Sequence, residues 1–136
     1  MDQITNSKAL PQIKGSEKQI AWAQDILNTY FKAMQDLPEY FISRYEYRVK
    51  RELPEDDKSE ILRAAKAQEE EDRRSLDELV NKHNVTASRI IDMRNWFAPE
   101  NAIKRVLTRA NMDGNTIELA VGTGYGLFAN KPKRVK

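Results

Sequence analysis

The chain has no cysteine, which removes disulfides and thiolate metal sites together. Its single histidine, His83, excludes every paired-histidine motif, so a metal site would have to be built from carboxylates. No run of about 18 apolar residues occurs, and no segment reads as a membrane span. Met1 to Asn6 lacks a basic region followed by an apolar one, so a signal peptide is not expected and a cytoplasmic protein is. Glycine and proline number five each, few enough that each marks a position in the fold.

What is present describes one solvated domain. At 136 residues the chain is long enough to bury roughly two-thirds of its unfolded surface. Hydrophobic residues make up 40% and charged residues 32%, so the core is small and the surface heavily charged. The net charge of +2 is unevenly spread. Residues 55 to 82 carry 6 basic against 10 acidic side chains, and residues 83 to 136 carry 9 against 4. An acidic middle and a basic end suit a charged contact surface, and ordinary solvated helix faces are the simpler account of balances this small.

The best-specified local structure lies between Leu10 and Ala23. Gly15 allows a backbone angle that other residues avoid, Ser16 is an N-cap candidate, and Gln19 completes a capping box. A helix is expected from about Glu17 to Asp36, with Ile20, Ala23, Ile26, Leu27, Tyr30, Phe31 and Met34 on one face. Trp22, beside that face, is expected to pack as a core anchor. Leu37-Pro38 should end this helix and start a second one. In that second helix Tyr40, Phe41, Tyr45 and Tyr47 interleave with Arg44, Arg48, Lys50 and Arg51. Such a cluster suits stacking on bases and neutralising phosphates; it also suits a helix that buries Phe41, Tyr45 and Val49 and leaves its arginines in water.

A third helix is expected from Pro54 to Asn84, opened by Glu55, Asp56 and Asp57. At about 1.5 Å per residue it would span roughly 45 Å. Its apolar residues gather at the ends, leaving Lys66 to Ser75 with little to bury, so part of it is expected to project or to be a mobile charged insertion. Glu69, Glu70, Glu71 and Asp72 form an anionic patch there, a candidate surface for a basic partner or simply a solvated flank. His83 at the helix end suits the dipole and needs no catalytic role.

Thr86 should cap a fourth helix running to Phe97, and Ala98-Pro99 should separate it from a fifth ending near Asn111. The fifth pairs an apolar stripe (Ala102, Ile103, Val106, Leu107, Ala110) with a polar, basic one: Asn101, Lys104, Arg105, Thr108 and Arg109. A DNA-reading helix has this character, and so has the wet side of any amphipathic helix.

Two segments carry a family likeness. Leu10-Pro11 with Gly15-Ser16-Glu17-Lys18-Gln19-Ile20-Ala21-Trp22-Ala23, followed much later by Ala87, Ile91-Asp92 and Arg94, resembles a family of small, largely uncharacterised proteins of bacteria, phages and mobile elements. That family has an LPxLxGSxKQxxWA opening and a later AxxxIDxR motif. Here Ile13 replaces the usual leucine, and Arg89 and Ile90 stand where aromatic residues are commoner. The resemblance implies that the first helix and the Thr86 helix pack together, with Asp92 or Arg94 hydrogen-bonding near the Gly15-Ser16 cap. It implies a phage or mobile-element setting and brings no catalytic residues.

Beyond Asn111 the pattern changes. Thr116 to Val121 alternates like a strand, a Gly122-Thr123-Gly124-Tyr125-Gly126 loop follows, and Leu127-Phe128 would complete a small β-hairpin. The glycine spacing is neither a dinucleotide fingerprint nor a P-loop. Residues 1 to 9 read as a mobile arm, residues 10 to 130 as the domain, and residues 131 to 136, with Lys133 and Arg134, as a basic tail. The expectation is a mainly α single domain of about five helices with a small C-terminal β-hairpin.

For function, no spacing demands catalysis, and no catalytic residue, metal or cofactor is expected. The leading expectation is a non-enzymatic binding protein of a phage or mobile element. Its partner would be a host or element-encoded protein met through Glu69, Glu70, Glu71 and Asp72, as in an anti-CRISPR-like inhibitor of a host defence nuclease. The alternative is a DNA- or RNA-binding accessory protein using Arg44, Arg48, Lys50, Arg51, Asn101, Lys104, Arg105, Arg109, Lys133 and Arg134. The oligomeric state is open.

Overall fold

Ser16 starts the first helix as its sequence requires. The Gln19 amide donates to Ser16 Oγ at 3.2 Å, and the Ser16 amide donates to Gln19 Oε1 at 3.2 Å, a complete capping box. The computed structural model describes residues 10–112, the side chains of Arg48 and Val49 excepted. The expected arm over 1–9, the hairpin over 116–128 and the tail over 131–136 lie outside the described residues. Four helices follow one another: α1 (Glu17–Val49), α2 (Glu55–Asn81), α3 (Ala87–Asp92) and α4 (Pro99–Arg109). None of them is long and apolar enough to cross a membrane.

Among the described residues the helices number four because Pro38 does not break the first. It lies inside α1, where its ring takes away the N–H that would otherwise bond the Met34 carbonyl. The apolar stripe explains why the helix continues. Leu27, Tyr30, Phe31, Met34, Leu37 and Phe41 keep one register straight through the proline, and all are buried. Burying Leu37 and Phe41 contributes roughly 1.5–3 kcal/mol each, which offsets the roughly 3 kcal/mol that a mid-helix proline costs.

α1 is the spine of the fold and packs against α2, α3 and α4, while α2 and α4 also pack together. Its stripe meets Ile61, Ala65 and Leu76 of α2, Ile90 of α3, and Ile103, Val106 and Leu107 of α4 in one core. Gly15 is where α3 closes on the start of α1. Its φ is +154°, and a Cβ there would lie 3.0 Å from Ala87 Cβ. The Ala87 amide donates to the Lys14 carbonyl at 2.9 Å, and Thr86 Oγ1 accepts from the Arg89 amide to cap α3. The two segments that carry the family likeness therefore touch. The expected bond from Asp92 or Arg94 to the Gly15-Ser16 cap is not how they do it. Asp92 is exposed, and Arg94 donates to the Ile91 carbonyl and lies over the Trp22 ring.

α3 is one and a half turns long and gives way to turns before Pro99, which opens α4 at its first position. The expectation that part of α2 projects is overturned. Its middle is buried, with Gln68, Glu69 and Asp72 in the core-facing register, because polar partners on α1 and α4 meet them there.

Candidate functional site

The polar face of α4 is set by its apolar one. Ala102, Ile103, Val106 and Leu107 are wholly buried, which leaves Asn101, Lys104, Arg105, Thr108 and Arg109 on the side towards α2. These five and Gln68 of α2 line an open groove of about 650 Å³. The expected basic stripe thus lines one open groove together with Gln68 of α2, with Lys104, Thr108 and Arg109 exposed.

Beneath the groove lies a chain of polar contacts linking α1, α2 and α4. Tyr30, fully buried, donates its O–H to Asp72 Oδ2 at 2.6 Å. Gln68 Nε2 donates to the other carboxylate oxygen at 3.1 Å. Arg105 Nη1 donates to the Tyr30 oxygen at 2.9 Å and to the Trp96 carbonyl at 3.0 Å. Arg109 Nε donates to Gln68 Oε1 at 3.1 Å, and its Nη2 pairs with Glu71. Burial pushes the Tyr30 phenol well above the ordinary tyrosine range. Its hydrogen bond to Asp72 and the charge of that carboxylate push the same way, and Arg105 opposes them. Tyr30 is therefore a permanent hydrogen-bond donor at neutral pH.

The network fixes the arginines. One nitrogen of Arg105 carries both of its hydrogen bonds, and its Nε and Nη2 have no acceptor among the described residues. That edge of the guanidinium is a two-donor fork suited to a phosphate or carboxylate. Arg105 also lies over Trp96, its Cζ 3.8 Å from the ring centroid, and Phe97 makes a T-shaped contact with the same indole. Asn101 Nδ2 donates to the Asn95 carbonyl at 2.7 Å and to that of Trp96 at 3.4 Å, and the indole adjoins the groove through Arg105. Trp96 remains 46% exposed.

The acidic patch does not survive as one surface. Glu69 and Asp72 turn into the fold, only 5% and 8% exposed, while Glu70 and Glu71 face solvent. Glu69 Oε2 accepts from Gln35 Nε2 at 2.9 Å and from Arg73 Nε at 2.8 Å, and Asp72 serves Tyr30 and Gln68. The reason is helical register. Consecutive residues 69 to 72 span more than a turn, so they cannot share one face.

Trp22 is also corrected. Half of it is exposed, with the Arg94 guanidinium 5.7 Å from its ring centroid, because Ala23 and Leu27 take the inward positions. The aromatic and basic cluster at the end of α1 divides as amphipathicity dictates. Phe41 is buried and Tyr45 half-buried, whereas Tyr40, Tyr47, Arg44, Lys50 and Arg51 are exposed, with Lys50 over the Tyr47 ring. Arg48 belongs to the same helix, and Lys133 and Arg134 lie outside the described residues. His83 is exposed past the end of α2. Among the described residues no group of three or more His, Asp or Glu is placed to hold a metal ion.

Sequence reasoning missed Tyr30, Gln68 and Trp96 as parts of the site. A signal existed for Gln68. The spacing Ile61, Ala65, Gln68, Asp72, Leu76, Val80 is one unbroken helical stripe in which two polar residues occupy core positions. No protein family, curated protein or solved structure matches the chain.

Proposed function

We propose that this chain is a non-enzymatic nucleic-acid-binding protein that holds a phosphate backbone in the groove between α2 and α4. What carries this is the convergence of Lys104, Arg105 and Arg109, with Asn101 and Thr108, on one open groove. Arg105 is held there by Tyr30 and the Trp96 carbonyl, so less side-chain entropy is lost when it meets a ligand, whereas Arg109 is paired with Gln68 and Glu71 through Nε and Nη2 and has its Nη1 left to offer. With this reading goes the proposal of a phage or mobile-element setting, in which such a protein would have an accessory or regulatory role. A protein partner met through Glu69–Asp72, as for an inhibitor of a defence nuclease, is the weaker alternative, since two of its four acids are committed inside the fold.

The test is fluorescence anisotropy of a labelled oligonucleotide across a salt series. Binding should weaken with salt, and Lys104→Ala with Arg109→Ala should flatten the log–log slope by about 0.7–0.9 per phosphate contact removed. Affinity that is independent of salt, or unchanged in the double variant, would refute the proposal.

A further inference from the structure

The groove also bears on which form of nucleic acid enters. Resting on the reading above, we infer that its ligand is a single strand, with phosphates along Lys104, Arg105 and Arg109 and one base stacked on Trp96. The alternative is α4 as a recognition helix in a duplex, its basic stripe facing a major groove about 12 Å wide. α4 does not stand alone: it packs against α2, and its Arg109 is tied across to Gln68 and Glu71. Its basic face lines an open groove with Gln68 of α2, and what favours a single strand there is the exposed indole next to Arg105.

Trp96 supplies what a single strand needs and a duplex hides. Its indole lies under the Arg105 guanidinium and in a T-shaped contact with Phe97, with Tyr30 5.9 Å away, yet the residue is 46% exposed. This exposed aromatic surface is available for stacking, and an unpaired base is a flat, apolar cover for it. The Trp96 carbonyl accepts from both Asn101 and Arg105, so the stacking surface and the guanidinium fork are fixed to each other. A base on the indole and its own phosphate on Arg105 is the arrangement that joins stacking platforms to basic channels in single-strand binders. Arg105 then serves twice, as the cation on one face of the indole and as the phosphate fork.

The experiment uses the full chain carrying Trp22→Phe, so that Trp96 is the sole indole. A short oligothymidylate is titrated in, followed by Trp96 emission and by anisotropy, beside a mixed-sequence duplex of the same length. The expected result is quenching by the single strand, tighter single-strand than duplex binding, and about tenfold or greater loss of single-strand affinity in Trp96→Leu. Trp96→Phe, measured by anisotropy, should recover most of it, since a ring remains. The salt slope should stay unchanged in Trp96→Leu, because no phosphate contact is lost. Duplex binding equal to or tighter than single-strand binding, or full affinity in Trp96→Leu, overturns the inference while leaving the basic groove standing. Absence of salt-dependent binding to either probe overturns both.

Discussion

Replacing Tyr30 by phenylalanine tests the central contact with one oxygen atom removed. The hydroxyl sits at 2.6 Å from the Asp72 carboxylate and 2.9 Å from the Arg105 guanidinium, inside a core where Tyr30 is wholly buried. A hydrogen bond to a charged group contributes about 1.5–3 kcal/mol. Asp72 would keep Gln68 and Arg105 would keep the Trp96 carbonyl, so neither charge is stripped of partners. The expected cost of Tyr30→Phe is therefore about 2–3 kcal/mol, and for a domain of this size a fall in melting temperature of about 7–10 °C. Urea denaturation followed by circular dichroism measures it. A cycle with Asp72→Ala should show the double variant less destabilised than the sum of the singles by at least about 1 kcal/mol. The pH dependence has a definite sign. Because folding raises the Tyr30 pKa, its contribution is fully present below the unfolded tyrosine value of about 10 and is lost as the pH climbs beyond it through the folded value. Wild-type stability should thus fall more steeply above about pH 10 than that of Tyr30→Phe. A variant within about 0.5 kcal/mol of wild type at neutral pH, or strict additivity in the cycle, would show that the network is not what joins α1 to α2 and α4.

Two further substitutions probe the frame that presents the groove. Gly15→Ala should destabilise by about 1–2 kcal/mol, from a backbone angle that alanine avoids and a Cβ 3.0 Å from that of Ala87; a neutral result in thermal melts would mean α3 shifts freely. Pro38→Ala should raise the melting temperature, because an amide returns for the Met34 carbonyl and the ring clash disappears, worth about 1–3 kcal/mol less the packing lost from the buried ring. A fall would show that the proline ring's own packing outweighs the missing bond.

Some of this protein was fixed by local sequence. Ser16 and Gln19 cap α1, Thr86 caps α3 and Pro99 opens α4 because capping and first-turn preferences act within three or four residues, whatever the rest of the chain does. The apolar stripe of α4 likewise placed its basic residues on the opposite side before any neighbour was known. Other features needed the assembled fold. Pro38 marks a helix end by local rules, and only the burial of Leu37 and Phe41 makes a continuous helix the better solution. Glu69 and Asp72 read as surface charge because acids are rarely buried unpartnered. Their partners Gln35 and Tyr30 are 34 and 42 residues away, beyond the reach of any local pattern. Trp22 and Trp96 stay exposed because the inward positions beside them are taken by Ala23, Leu27 and Phe97. Sequence determined which residues are basic, and tertiary packing decided that they line a cleft, since a groove exists only between two helices that long-range contacts have brought together.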